Sequence, residues 1–425
     1  MRFYLKGDPR SHAHMRRLSA ALLALTLAAS TACNNLLAVD NPGRVPAEAL
    51  ADPALIPILE AASLQQFQCG FAQFVATGGM LSGEYLSANA FVDNHPWEWR
   101  GDPEIRGAPG TCPTSRATTS MGFYTPLQQA RFQLDDAAAR ANDFTDAQVP
   151  NRTRILAEMR AYAGYAYTLL AEGMCDMAID GGPKMTRAAV LAIAETRFTD
   201  AIGLASADAS LKNMATAGRA RVRLDLGNMS GAATDAASIP AGYVRIAEFS
   251  ETTPARENRV YNLTVRNDYL SAGEAYRGLT VGTQADPRVK VTDMKRKGSD
   301  NVTPIWQQQK FTGSGAVSLP IASWNEAQLI LAEALGGQAG IDAINRVRAA
   351  NGVTTPLVAD PASDITPLVL EERRRQLFSE GQRYADMLRK NLPFITGVNR
   401  KGQTFGTVTC VPLPDVETQN NPNFK

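Results

Sequence analysis

The chain has 425 residues, of which 44% are hydrophobic and 20% are charged, so it has ample material for a packed core and is not globally disordered. Its 43 Lys and Arg residues nearly balance its 42 Asp and Glu residues, which gives a formal charge of +1. This even balance, with no basic run interleaved with aromatic residues, argues against a nucleic-acid-binding protein.

The first 32 residues have the pattern of a secretory signal peptide. Arg16 and Arg17 precede a run of 15 apolar and small residues that ends at Cys33. The run is too short to cross a bilayer, which needs about 20 residues. The sequence therefore predicts a signal peptide over residues 1–32, with Met15 as an alternative start to Met1.

The residues before Cys33 look like a lipobox, the recognition sequence for lipoprotein processing. They read Ser30-Thr31-Ala32-Cys33, with Ser30 where an aliphatic residue is usual. We expect Cys33 to be lipidated and residues 33–46 to form a tether, since each buried acyl methylene contributes about 0.8 kcal/mol to membrane binding. The alternative is an ordinary signal cut near Ala32 that leaves Cys33 unmodified.

Four further cysteines could pair in an oxidising compartment, and three connectivities are open. They are Cys69, Cys112, Cys175 and Cys410. None belongs to a CxxC pair, so the sequence predicts no zinc site.

Apolar residues recur at helical spacing through most of the N-terminal half. The pattern predicts helices over residues 47–74, 124–141, 152–175, 187–205 and 210–226. Pro53 and Pro57 require the first of these helices to break or to start late. Small residues between 226 and 240 resemble one degenerate tetratricopeptide unit, which is typical of stacked helix pairs.

Three more helices are predicted near the C-terminus. Ser323 and Glu326 form a capping box that starts the first helix, and Gly336-Gly337 ends it. The second helix covers residues 340–350. The third starts at Thr366-Pro367 and carries apolar residues inward as far as Leu388, and an extended tail follows it.

Two segments lack helical periodicity. Residues 81–120 are predicted to be a long loop, and residues 241–317 a loop-rich insertion with short strands that include residues 261–265. Their flat rings are candidate ligand contacts, because such rings can stack on sugars or on peptide side chains. The alternative is that each ring anchors its loop. The candidates are Tyr85, His95, Trp97, Trp99, Tyr261, Tyr269, Tyr276 and Trp306.

The sequence offers little for catalysis, and we predict no catalytic residue, metal site or cofactor. His95 is the only histidine after Cys33, which argues against His-dependent triads and His-rich metal sites. Asp135 and Asp136 are adjacent on a helix and point about 100° apart, so they are a poor glycosidase pair and belong to a solvated face. The acids and bases of residues 371–386 are spaced for structural ion pairs.

Several segments resemble one known family. Residues 324–334, reading WNEAQLILAEA, look like the C-terminal helix pair of the SusD/RagB family when taken with residues 344–348. Residues 371–377 and 380–389 are similar to that family's most recognisable stretch. Weaker resemblances are the RAY sequence at residues 160–162, Asp286-Pro287-Arg288, and the ending that starts at Val411.

The resemblance implies a mainly α-helical, tetratricopeptide-like SusD-like scaffold with long irregular insertions. It divides residues 47–425 into an N-terminal part to about residue 240, the insertion at 241–317 and a C-terminal part at 318–425. It further implies a lipid-anchored, surface-facing outer-membrane protein that binds an oligosaccharide or a peptide and passes it to a SusC-like TonB-dependent barrel. The alternatives are a tetratricopeptide-like envelope scaffold and a polysaccharide hydrolase.

Overall fold

The computed structural model of the chain describes residues 49–117 and 120–424. The predicted signal peptide, Cys33 and the tether at residues 33–46 lie outside the described residues. A 3₁₀ turn at Ala49–Ala51 belongs to a separate N-terminal unit that ends at Asp52, and the rest of the chain is one compact unit.

The described residues form fourteen α-helices. They are α1 (Ile56–Leu81), α2 (His95–Trp99), α3 (Asp102–Gly107), α4 (Tyr124–Asn142), α5 (Arg152–Gly173), α6 (Arg187–Leu204), α7 (Ala209–Asp225), α8 (Met229–Ala237), α9 (Arg259–Tyr261, continued by a π turn at Asn262–Arg266), α10 (Trp324–Leu335), α11 (Gly337–Ala350), α12 (Thr366–Gln376), α13 (Gln382–Arg389) and α14 (Asp415–Asn420). No helix in this part of the chain is long and apolar enough to cross a membrane.

The long helices pack on one another in chain order and form most of the core. Helix α5 packs against α1, α4 and α6, α7 packs against α6 and α8, and α10 packs against α8 and α11. Gly164 of α5 and Gly218 of α7 both abut the ring of Phe198, where an added Cβ would lie 2.7 Å and 2.4 Å from ring carbons. The small residues therefore let three helices approach closely around one aromatic side chain.

The strands of the described residues are short, and each pairs with one other strand. They are β1 (Tyr85–Ser87), β2 (Asp176–Met177), β3 (Met185–Thr186), β4 (Val244–Ala247), β5 (Leu270–Ala272), β6 (Thr280–Val281), β7 (Gln284–Ala285), β8 (Val291–Lys297), β9 (Pro304–Gln308) and β10 (Leu319–Ser323). The pairs are β1 with β5, β2 with β3, β4 with β10, β6 with β7, and β8 with β9, all antiparallel. Two strands of the insertion, β4 and β5, thus pair with strands outside it, β10 and β1.

Buried ion pairs join helices of the array to one another, both α12 to α13 and α5 to α7. Asp386 of α13 is 1% exposed, and its carboxylate accepts hydrogen bonds from Arg373 at 2.8 Å and Arg389 at 2.7 Å. Arg221 of α7 donates to Glu172 of α5 at 2.6 Å. Burial opposes ionisation of Asp386, but the two arginines outweigh it and hold its pKa at about 2. The predicted structural ion pairs at residues 371–386 are therefore confirmed.

Within the described residues, two disulfides link segments that are distant in the sequence. They join Cys69 to Cys112 and Cys175 to Cys410. The first fastens the loop before α4 to α1, and the second fastens the C-terminal tail to the end of α5. Of the three connectivities that the sequence left open, this is the one the structure adopts.

Helix α12 is shorter than the sequence pattern predicted, and the expectation of one helix reaching Leu388 is wrong. It ends at Gln376, and α13 begins at Gln382. Between them, Ser379 and Gly381 adopt left-handed backbone angles with φ of 65° and 81°. These angles reverse the chain, so that α13 folds back on α12 and Asp386 contacts Arg373.

Two other expectations about local structure also need correction. Residues 261–265 are not a strand but a helical and π turn, in which the Asn258 side chain caps the backbone N–H of Tyr261. The segment 81–120 is not a continuous loop, since it contains β1, α2 and α3. By contrast, Ser323 caps α10 as predicted, with its Oγ accepting from the backbone N–H of Glu326 at 3.1 Å.

Candidate functional site

An open cleft lies in the segment that contains α2 and α3. It has a volume of about 530 Å³, and we call it the Trp99 cleft. Its lining comprises Val92, Asp93, His95, Pro96, Trp99, Glu104, Gly107, Ala108 and Gln403. A smaller cavity of about 250 Å³ shares Asp93 and Ala108 with it and extends toward Met121.

Trp99 presents a partly exposed indole in this cleft because the residue packed against its ring, Gly101, has no side chain. A Cβ added at Gly101 would lie 2.3 Å from the Trp99 ring and 2.8 Å from a carboxylate oxygen of Glu104. Arg100, with φ of 60°, ends α2 and turns the chain between the two residues. No larger residue at position 101 would leave the ring where it is.

The far wall of the cleft comes from a C-terminal strap, residues 394–406, that two arginines hold in place. Arg100 is 3% exposed, lies over the rings of Phe394 and Phe405, and donates to the carbonyl oxygens of Ile395 and Gly406 at 2.8 Å and 2.7 Å. Arg400 forms a salt bridge with the buried Glu98. These contacts bring Gln403 to a cleft built from residues about 300 positions earlier.

His95 lines the cleft with one ring nitrogen already engaged. Its Nε2 lies 2.7 Å from the carbonyl oxygen of Asn89 and 3.0 Å from Nζ of Lys401. Burial, together with the positive charge of Lys401, holds the pKa of His95 below its usual value. The ring is therefore neutral at pH 7, and Nδ1 is the ring nitrogen that these two contacts leave for a ligand.

For three of the eight predicted ligand contacts the prediction is wrong, because their side chains are at most 2% exposed. The Tyr85 hydroxyl lies 2.5 Å from Oγ of Ser379, the Tyr276 ring stacks on Phe378 at 4.8 Å, and Trp97 packs near Phe123. These rings anchor irregular segments to the core, which is the alternative that the sequence left open.

The structure brings only Trp99 and His95 of the other five into the cleft lining. Tyr269 packs edge-on against Phe91, whose neighbour Val92 lines the cleft, so it lies near the rim. Tyr261 sits under Arg266, and Trp306 sits under Arg277. Neither Tyr261 nor Trp306 lines the cleft.

Carboxylates near the array are paired and do not face a common open site. Asp135 accepts hydrogen bonds from Arg197 at 2.7 Å, from Arg160 at 3.0 Å and from the Tyr167 hydroxyl at 2.8 Å. It therefore links α4 to α5 and α6. Asp136 pairs with Arg140 on its own helix at 2.7 Å. The two acids serve different partners and do not converge.

The polar lining residues that the sequence did not single out are Asp93, Glu104 and Gln403. Glu104 and Asp93 are exposed polar residues without a local motif. Gln403 reaches the cleft through the contacts that Arg100, Arg400 and Lys401 make across the fold. The only available signal was that residues 81–120 combine aromatic and polar residues outside a helical pattern.

Comparison with known proteins identifies the architecture. No protein-family model matches the chain, and no curated protein matches it. Solved structures do match. A laminarin-binding SusD-like protein superposes with a TM-score of 0.63 at 15% identity, covering 85% of this chain and 96% of its own. Surface glycan-binding protein A from Bacteroides thetaiotaomicron, in complex with laminarihexaose, gives 0.66 at 12% identity, covering 88% and 98%.

A SusD superfamily protein from Bacteroides vulgatus gives a TM-score of 0.62 at 13% identity over 88% of this chain and 98% of its own. Agreement over nearly the full length of each neighbour, at identities this low, defines the backbone architecture. The predicted mainly α-helical scaffold is confirmed, and the chain has the SusD-like fold.

Proposed function

We propose that this protein binds a glycan and that the Trp99 cleft holds it. The observation that carries the proposal is a partly exposed indole in a cleft of about 530 Å³ on a SusD-like fold. That volume falls within the roughly 300–1,000 Å³ typical of small-molecule sites. Two neighbours in fold are described as binding laminarin and laminarihexaose, which supports a carbohydrate ligand.

The cleft combines the two kinds of contact that sugars need. The flat Trp99 ring takes the apolar face of a sugar ring by stacking. Asp93 and Glu104 accept hydrogen bonds from hydroxyl groups, Nδ1 of His95 offers one further polar contact, and Gln403 both donates and accepts. Because the lining has two carboxylates and no Lys or Arg, it favours a neutral glycan over an acidic one.

A glycan array probed with the purified protein tests this function. We expect retention of one or more neutral oligosaccharides and a rise in melting temperature when the retained sugar is added, since binding to the native state stabilises it by RT ln(1 + [L]/Kd). A peptide library run in parallel tests the peptide alternative. Retention of peptides and of no glycan would overturn the proposal.

The proposal extends to location and partner. The lipobox at Cys33 supports a lipid anchor in the outer membrane, and the SusD-like fold supports delivery of the glycan to a SusC-like TonB-dependent barrel. A tag at the C-terminus, followed by pull-down from outer membranes in mild detergent, tests this step. A barrel recovered in near-equal amount supports delivery, and its absence would favour an envelope scaffold.

The protein acts in this scheme by binding and not by chemistry. His95 is neutral with its Nε2 already engaged by the carbonyl oxygen of Asn89, and the cleft is lined by two carboxylates and by no Lys or Arg. Incubating the retained oligosaccharide with the purified protein and following its chain length tests the point. Cleavage that depends on Glu104 would establish the hydrolase alternative.

A further inference from the structure

A second pocket, of about 230 Å³, lies apart from the Trp99 cleft and shares no lining residue with it. It opens between the turn before β8, the end of β9 and the C-terminal ends of α11 and α12. We call it the Lys290 pocket; its lining comprises Pro287, Arg288, Lys290, Gln309, Lys310, Asn351 and Gln376.

The lining has three cations and no carboxylate, and two of the cations are fixed by partners behind it. Arg288 is 5% exposed and donates to Asp286 at 2.8 Å and Glu372 at 2.6 Å. Lys310 donates to Glu380 at 2.6 Å and to two backbone carbonyl oxygens. These contacts hold the wall rigid before any ligand arrives.

Lys290 is the cation that remains for a ligand. Its side chain is exposed, and no ion pair in the described part of the chain involves it. The ion pairs that continue from the lining do not cancel the positive charge of Lys290. Their cations are Arg288, Lys310, Arg348, Arg374 and Arg375, and their carboxylates are Asp286, Glu371, Glu372 and Glu380. With Lys290 there are six cations and four carboxylates, so the region keeps two net positive charges.

Gln376, which lines the pocket, carries a buried acceptor that has no donor among the described residues. Gln376 is 5% exposed, and its Nε2 donates to Oδ1 of Asn351 at 3.2 Å. The Asn351 amide is itself oriented by its own donation to the carbonyl oxygen of Val347 at 2.8 Å. This chain fixes Oε1 of Gln376 as an acceptor, and that atom has no hydrogen-bond partner among the described residues.

We propose that the Lys290 pocket binds a sugar acid. Its carboxylate pairs with Lys290, and a ring hydroxyl donates to Oε1 of Gln376. The volume is below that of typical drug-sized sites, which limits the ligand to about one sugar ring. The site goes beyond the glycan cleft, since it selects a negatively charged sugar, which the acidic lining of the Trp99 cleft disfavours.

Titration of the full-length protein with D-glucuronate, followed by ligand-detected NMR, tests the proposal. We expect saturable binding at least tenfold tighter than binding of D-glucose or of acetate. Lys290→Gln should weaken glucuronate binding at least fivefold. The matched control is Lys297→Gln. Lys297 is an exposed lysine at the far end of β8 and outside the pocket, so this substitution should leave binding unchanged.

Three results would overturn the proposal: no saturable glucuronate binding, equal weakening by the two lysine variants, or acetate binding as tight as glucuronate. Gln376→Leu tests the hydroxyl contact, and it should bring glucuronate affinity close to that of acetate. Lys290→Gln keeps the test decisive if the Gln376 variant fails to fold. Trp99→Ala should leave glucuronate binding intact, so failure of the cleft and failure of this pocket are distinguishable.

Discussion

The helical array and the Trp99 cleft treat charged side chains in opposite ways. In the array, carboxylates such as Asp386 are almost fully buried and each is held by arginine at close range. In the cleft, Asp93 and Glu104 are exposed and line open space. The array therefore uses charge to fix helix positions, while the cleft leaves polar groups at the surface where a hydroxyl-rich ligand can reach them.

The largest effect on stability should come from removing a buried carboxylate of the helical array. Asp386→Ala leaves Arg373 and Arg389 buried without their shared partner, which should lower the free energy of unfolding by about 3–5 kcal/mol. Asp136→Ala, which removes only the half-exposed pair with Arg140, should cost at most about 0.5 kcal/mol. Urea denaturation measures both, and equal losses would contradict the account.

The disulfides should rank next. Replacing Cys175 and Cys410 together by serine should lower the free energy of unfolding by about 2–4 kcal/mol, since their link constrains the unfolded chain over 235 residues. The Cys69 and Cys112 double replacement closes only 43 residues, so its loss should be smaller by about 1.5 kcal/mol. A reversed order in urea denaturation would show that loop entropy is not the dominant contribution.

On the cleft side, Gly101→Ala should push the Trp99 ring out of place, because the new Cβ would meet the indole at 2.3 Å. We expect glycan affinity to fall about tenfold, or about 1.4 kcal/mol, with little change in stability. Gly203→Ala is the control, since a Cβ at that helical position meets no atom within 4 Å. Unchanged affinity in the Gly101 variant would show that the ring position does not matter.

A smaller effect is expected from pH. Burial raises the pKa of Glu84 to about 7, although its bond to the Ser379 N–H and the charges of Arg383 and Lys310 oppose the rise. At this carboxyl the folded protein therefore binds more protons than the unfolded chain between about pH 4.5 and 7, so the contribution of Glu84 to stability falls as pH rises through that window. Glu84→Gln should reduce the loss between pH 6 and pH 7 by about 1 kcal/mol, as measured by urea denaturation at each pH; an unchanged slope would contradict this.

The same comparison explains what the sequence could predict. Helices such as α4 and α6 begin at the predicted residues and end within a residue of prediction, because periodic apolar residues and caps such as Ser323 act locally. The cleft could be predicted only in part. Gln403 joins it through contacts across about 300 residues, and whether an aromatic residue is buried, as Tyr276 is, or exposed depends on packing that no local pattern records.

The most direct test of the central claim is a calorimetric titration of Trp99→Ala and Trp306→Ala with a neutral oligosaccharide that the glycan array identifies. Both residues are partly exposed tryptophans, but only Trp99 lines the cleft. The account predicts at least a tenfold loss of affinity for Trp99→Ala and wild-type affinity for Trp306→Ala. Wild-type affinity for Trp99→Ala, with a loss for Trp306→Ala, would move the glycan site out of the cleft.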